Sequence, residues 1–218
     1  MELRDAIRSS GAVRQFTDEG VPLSKVHAVL DDARFAASGS NRQPWRVAVV
    51  EDTKIRESML ELMQPTWDEW IAAAGIYETP FNAIDYVTPT EITPNIPNGM
   101  LAEIATIPVV LAVAADLRRI AMMDNGFERP PMTGGASIYP FCWNLLLSAR
   151  AHGLGGVMTT FLSRAEAEAQ PLLGLPEHHA LVATIFLGVP VHQPTKLKRL
   201  PVESFATLNR FDGPPLEA

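Results

Sequence analysis

The segment from Ala136 to His152 constrains the fold of this chain more than any other. Its apolar residues are spread over more than one face of a helix: Ile138, Phe141, Cys142, Leu145, Leu146, Leu147 and Ala149. A helix that is apolar on several sides is normally buried on several sides. Gly153 is suited to end this helix. A single domain with an irregular sheet offers few partners for such a helix, so we expect a second copy of the chain to cover part of it.

The rest of the chain predicts helices and strands in irregular alternation. Residues 23–37 repeat apolar side chains every three or four positions, which indicates a one-faced helix opened by Pro22 and Ser24. Further helices are predicted over residues 2–9, 53–74 (kinked or split at Pro65) and 163–173, and strands over Arg46–Glu51, Ile107–Ala115, Gly155–Thr160 and Ala180–Gly188. One long apolar helix and no internal repeat predict a single three-layer α+β domain over residues 1–218.

Two segments lack periodicity. Residues 76–99 contain four prolines with Tyr77, Phe81 and Tyr86 between them. So long an irregular segment predicts either a mobile functional lid or a disordered segment, and an ordinary packed surface excursion is a further alternative. The tail from Pro190 to Ala218 is rich in proline and has too few apolar residues to form a core alone. We expect it either to be disordered or to be ordered by wrapping around a partner subunit.

Composition narrows the class of protein. The chain has 18 Lys and Arg against 25 Asp and Glu, and its formal net charge of −7 argues against a nucleic-acid partner. No apolar run is long enough to predict a membrane span, and the charged N-terminus lacks a signal-peptide core. Cys142 is the only cysteine, which favours a reducing cytoplasm. None of the five histidines has the spacing of a zinc site, so we expect no metal.

The stretch from Ala37 to Trp45 is the strongest indication of a ligand. It lies between the predicted helix and a strand, and Asn41 and Gln43 each offer an amide donor and a carbonyl acceptor. A heteroaromatic ring with mixed donors and acceptors needs such partners. The alternative is a polar loop whose amides cap a helix.

Two motifs together resemble the FMN-dependent nitroreductase family. They are Arg14-Gln15-Phe16 after the first helix and Asn41-Arg42-Gln43-Pro44-Trp45 after the second. The resemblance covers nearly the whole chain and implies a central mixed sheet flanked by helices, an intertwined homodimer and tightly bound FMN. It also implies reduction by NADH or NADPH.

The resemblance assigns FMN-binding roles to seven residues. Arg14 and, in the tail, Arg199 correspond to the phosphate site, although a surface pair of Arg14 with Asp18 or Glu19 is the alternative. Ser38, Asn41 and Gln43 correspond to the ribityl chain and pyrimidine edge, and Thr159 and Thr160 to the region of the flavin N5. Lys196 and Lys198 either share the phosphate role or form a solvated charge run. The family usually has basic or hydroxyl residues where this chain has Ser10-Gly11-Ala12, which weakens the expected phosphate clamp.

The expected function is therefore an FMN-dependent oxidoreductase with no catalytic acid or base of its own. It takes a hydride from NADH or NADPH and reduces a nitroaromatic, a quinone or an activated alkene by a ping-pong mechanism. Two alternatives stay open: other flavin chemistry in the same family, such as dehalogenation or flavin fragmentation, and a non-enzymatic flavin-binding protein. A complete Gly-x-Gly-x-x-Gly motif and a Gly-x-Ser-x-Gly elbow are both absent, which argues against a Rossmann nucleotide site and a hydrolase.

Overall fold

A four-stranded sheet forms the centre of the computed structural model, which describes residues 1–217. The strands lie in the order β1-β2-β4-β3, with bounds β1 Trp45–Val49, β2 Val109–Asp116, β3 Gly155–Thr159 and β4 His179–Gly188. All three neighbouring pairs in this sheet are antiparallel, so it is not the mixed sheet that the resemblance implied. In the β1–β2 pair, the connection returns to the end of β1, so that β2 starts beside Val49.

Within residues 1–217, six α-helices lie around this sheet: α1 Leu3–Ser9, α2 Leu23–Ala33, α3 Thr53–Ala74, α4 Gly99–Ala102, α5 Tyr139–Ala151 and α6 Glu166–Leu173. Asp52 starts α3 by accepting hydrogen bonds from the backbone N–H groups of Lys54 (2.8 Å) and Ile55 (3.1 Å). Pro65 lies inside α3 without splitting it. None of the helices within residues 1–217 is both long enough and apolar enough to cross a membrane.

Two hydrophobic clusters, one on each face of the sheet, make the domain three-layered. In β2, Leu111 and Val113 face α2 and α5, whereas Val110 and Ala112 face α3 and α4. This alternation follows from the two-residue period of a strand. The predicted α+β class and three-layer arrangement are confirmed.

The central apolar helix is shorter than predicted and incompletely covered. Residues Thr133–Ser137 form a 3₁₀ turn, and α5 begins at Tyr139. The side of α5 that carries Tyr139 and Trp143 stays 41% exposed at each of these residues. One chain alone therefore buries or half-buries the seven apolar residues on which the prediction rested, but it leaves these two aromatic side chains partly uncovered.

The tail runs back across the N-terminal segment before it becomes exposed. Pro190 pairs with Phe16 in an isolated bridge, and the Val191 N–H donates to the Gln15 carbonyl at 3.1 Å. Further along, large apolar side chains face away from the chain's own core; Phe205 is 69% exposed and Phe211 is fully exposed.

Candidate active site

Two clefts flank β3, one of the two edge strands of the sheet. The first, of about 220 Å³, lies between α5 and residues 10–14. The second, of about 490 Å³, lies between α3, residues 97–100 and the end of β3. Arg14 lines both clefts, and no carboxylate lines either of them within the described chain.

Backbone contacts hold Arg14 at this edge. The Val13 N–H donates to the Gly156 carbonyl at 2.9 Å, and the Thr17 N–H donates to the Val189 carbonyl at 2.9 Å. Phe16 packs against Gly188, where an added Cβ would lie 2.9 Å from the ring. The segment around Arg14 therefore follows the edge of the sheet and projects a guanidinium into the groove.

Arg14 is free to bind a ligand. Its side chain makes no hydrogen bond or ion pair with any of residues 1–217, so the alternative pairing with Asp18 or Glu19 does not occur in this structure. Arg14 also lines a third pocket, which includes Glu103, but the two side chains form no ion pair. An unpaired arginine in the two acid-free clefts is suited to a phosphate, because its planar fork donates two parallel hydrogen bonds.

The predicted threonines lie beside Arg14. Thr159 and Thr160 line the second cleft at the end of β3. The Thr159 hydroxyl accepts a hydrogen bond from the Phe161 N–H at 3.4 Å, which fixes the turn after the strand. Three of the seven predicted residues are thus brought together in one chain.

The 38–43 loop lines neither cleft. The Ser38 hydroxyl accepts from the Gln43 N–H at 3.0 Å, and the Gln43 amide donates to the Asn41 side-chain oxygen at 3.2 Å. Three of its residues adopt the left-handed backbone region: Ser40 (φ 51°), Asn41 (φ 52°) and Gln43 (φ 48°). Such backbone strain outside glycine is concentrated at functional sites. The loop is held by its own hydrogen bonds and is exposed, but within one chain it does not share a cleft with Arg14.

Arg199 is also outside the clefts. Its guanidinium donates only to the neighbouring Lys198 carbonyl, at 2.7 Å, and Lys196, Lys198 and Arg199 are all exposed. Leu197, two residues before Arg199, nevertheless lies against Gly11, so this part of the tail is next to the N-terminal segment.

Several residues of the clefts were not predicted from the sequence. Trp67 and Trp70 of α3 line the second cleft, and the Trp67 indole N–H is buried without a partner. Asn98 lines it too and caps α4 by accepting from the Met100 N–H at 3.1 Å. The tryptophans lie in a helical pattern beside core residues, so the sequence gives them no separate signal.

The buried carboxylate of Glu69, on α3, binds side chains from two neighbouring segments of the chain. Glu69 accepts hydrogen bonds from Tyr86 (2.6 Å), Thr88 (3.0 Å) and Arg164 (2.7 Å). Burial acts to raise the pKa of Glu69, but these hydrogen bonds outweigh it and hold the pKa below its usual value. Burial and the adjacent Glu69 raise the pKa of Tyr86 to about 12. Residues 76–99 are thereby attached to α3.

The architecture agrees with comparisons to known proteins. The Nitroreductase family model matches residues 7–189, and the chain belongs to the Nitroreductase family. An NADH dehydrogenase of Thermus thermophilus is 25% identical over 203 residues, which cover 93% of this chain and 94% of that protein.

Two solved structures share the fold. The NADPH:FMN oxidoreductase of Vibrio harveyi complexed with NAD⁺ superposes with a TM-score of 0.68 at 20% identity. The match covers 96% of this chain and 77% of the oxidoreductase chain. An oxidized iodotyrosine deiodinase bound to FMN and 3-iodo-L-tyrosine has a TM-score of 0.67 at 22% identity, covering 96% of this chain and all of its own. Members of this fold therefore include FMN proteins of more than one activity.

Proposed function

We propose that this protein is an FMN-dependent oxidoreductase that accepts a hydride from NADH or NADPH and passes the electrons to a second organic substrate by a ping-pong mechanism. The observation that carries the proposal is Arg14, an unpaired arginine joining two acid-free clefts along β3. The single buried Cys142 suits a cytoplasmic enzyme.

The polar groups around the clefts fit FMN. The buried atoms without hydrogen-bond partners include two donors, the Trp67 indole N–H and the Arg150 Nε–H, and one acceptor, the Gln193 side-chain oxygen. All three residues line the two clefts. FMN carries a phosphate, ribityl hydroxyls and ring carbonyls, which are the complementary groups. A buried polar atom is normally paired, so these atoms favour a polar ligand.

The protein's part in the reaction is to bind and orient the flavin and the substrates, and to exclude water from the site. FMN, when bound, supplies hydride and electron transfer. Arg14 would hold its phosphate, and Thr159 and Thr160 would lie near the ring, where backbone donors would stabilise negative charge. Trp67 and Trp70 supply an apolar wall that favours planar substrates such as nitroaromatics and quinones.

We further propose that a homodimer completes the site. The exposed 38–43 loop, with Ser38, Asn41 and Gln43, would then approach the Arg14 clefts of the partner subunit, and the tail would bring Arg199. The uncovered side of α5 and the exposed apolar side chains of the tail support this arrangement.

The released chromophore tests the cofactor. Denaturation of the purified protein is expected to release FMN. Recovery of FAD, or failure to take up any flavin after reconstitution, would contradict the proposal. Within the site, Arg14→Ala is expected to weaken FMN retention more than Lys196→Ala, because Arg14 lines both clefts and Lys196 lines neither. Equal retention in the two variants would remove Arg14 from the site.

Reductive dehalogenation is the second candidate. It is favoured by the likeness to the iodotyrosine deiodinase, which covers that whole chain. Release of halide from a halogenated phenol by the reduced protein, at a rate above that of nitroaromatic reduction, would favour this candidate.

A further inference from the structure

The first cleft contains a second arginine with no partner. Arg150, in the last turn of α5, lines this cleft together with Arg14. Its Nε–H is buried and unpaired, and the Arg150 side chain makes no hydrogen bond or ion pair within residues 1–217. Arg150 is half-buried, and a buried N–H group without an acceptor is costly, so this position favours a ligand that offers acceptor atoms, such as an anion.

The segment before Arg14 cannot supply this charge. An added Cβ at Gly11 would lie 2.9 Å from both Pro194 and Leu197, because the tail packs directly on this glycine. The Ser10 hydroxyl donates to the Ala6 carbonyl at 2.7 Å, so its only hydrogen is used inside the N-terminal segment. Gly11 is therefore covered by the tail, and Ser10 is hydrogen-bonded to α1, so neither position offers a side-chain group to a phosphate. Arg150 lines the same cleft from α5.

The cleft also offers an acceptor. The Gln193 side-chain oxygen is buried without a partner, while its amide nitrogen donates to the Ser9 and Pro194 carbonyls at 3.4 and 3.3 Å. These two contacts fix the amide orientation, so the free group is the oxygen. A ligand that carries a phosphate next to hydroxyl groups would satisfy Arg150 and Gln193 together.

We infer that Arg150 is a second phosphate-binding residue, which holds the ribityl-phosphate end of FMN in the first cleft opposite Arg14. This inference rests on the proposed flavin function. The Arg150 guanidinium, from α5, would take the place of the phosphate clamp that Ser10, Gly11 and Ala12 do not provide. Two arginines on opposite walls can each donate to different phosphate oxygens.

Comparison of FMN with riboflavin tests the inference, because the two flavins differ only by the phosphate. Apo-protein is titrated with each flavin by fluorescence quenching, for wild type, Arg150→Met, Arg150→Lys and the control Arg46→Met. Arg46 lies on β1 and lines neither cleft. Arg150→Met is expected to raise the FMN Kd roughly tenfold or more and to leave the riboflavin Kd within about twofold. Arg150→Lys is expected to lie between wild type and Arg150→Met, and Arg46→Met to match wild type.

The outcomes separate this inference from the proposed function. Wild type that binds no flavin overturns both. Wild type that binds both flavins equally tightly, or Arg150→Met with an unchanged FMN Kd, overturns only the role of Arg150. An equal loss of both flavins also overturns it, since that result indicates a packing role or an ion pair with a partner subunit.

Discussion

The Tyr86 hydroxyl donates a hydrogen bond of 2.6 Å to the Glu69 carboxylate, and this contact ties the 76–99 segment to α3. Asp68, the preceding residue, accepts from the Asn95 and Ile96 N–H groups at 2.8 Å each. Two adjacent buried carboxylates therefore hold both halves of the segment. Whether it opens as a lid stays a prediction, but its closed position has specific anchors.

These anchors predict an acid-sensitive contribution to stability. The pKa of Glu69 is lowered in the folded state, so its contribution is complete above the ordinary carboxyl pKa of 4.5 and is lost as the pH falls through the lowered value. Glu69→Gln is expected to lower the free energy of unfolding at neutral pH, and the difference from wild type is expected to shrink as the pH falls below 4.5. Urea unfolding at several pH values measures this, with Glu61→Gln, an exposed acid on the same helix, as the control. A constant difference at all pH values would exclude Glu69 as the titrating group.

Phe81 is predicted to affect substrate choice more than cofactor binding. Its ring lies 5.9 Å from that of Trp70, which lines the second cleft, and 4.7 Å from that of Tyr86. Phe81→Leu is expected to change the ratio of turnover rates between a nitroaromatic and a quinone by severalfold, because lids commonly govern turnover. The FMN Kd is expected to stay within about twofold, since hydrophobic swaps of this kind alter packing only locally. Unchanged ratios would mean that the segment is a packed excursion.

Much of the fold was predictable from the sequence, and the assembly of the site was not. The strands around Val110 and Phe186 appear as short continuous apolar runs, and these runs are sufficient to find them. The helix α5 begins three residues later than predicted, because a helix that started at Ala136 would need a backbone N–H at Pro140, which therefore lies in the first turn instead. Arg150 and Trp67 join their clefts only through tertiary packing, which no local pattern records.

Two substitutions of Gln43, in the 38–43 loop, distinguish the effect of its backbone strain on stability from the effect of its side-chain amide on the flavin. Gln43 has φ 48°, a region where a Cβ is unfavourable and glycine is tolerated. Gln43→Gly and Gln43→Ala both remove the amide, so both are expected to alter the flavin absorbance spectrum or its rate of reduction. Gln43→Gly is expected to be more stable than Gln43→Ala by about 1 kcal/mol, measured by urea unfolding. Equal stability would show that the loop relaxes, and unaltered flavin spectra and rates would remove Gln43 from the site.

The exposed tail predicts a dimer that depends on its aromatic residues. The chain mass is 23.8 kDa, and light scattering of wild type is expected to give about twice this value down to low concentration. Deletion of residues 200–218, or the double change Phe205→Ser and Phe211→Ser, is expected to weaken both the dimer and FMN retention. The control Ile84→Ser removes a highly exposed apolar side chain outside the tail. A monomer that holds FMN and turns over would contradict the shared site.

Anaerobic stopped-flow absorbance tests the central claim most directly. The FMN-loaded protein is mixed with NADH or NADPH without oxygen, and then with a nitroaromatic, a quinone or an activated alkene. The account predicts that at least one nicotinamide bleaches the flavin band and that an acceptor restores it in a separate second step. A flavin that neither nicotinamide reduces, although the protein is folded and fully loaded, would contradict the assignment as an oxidoreductase.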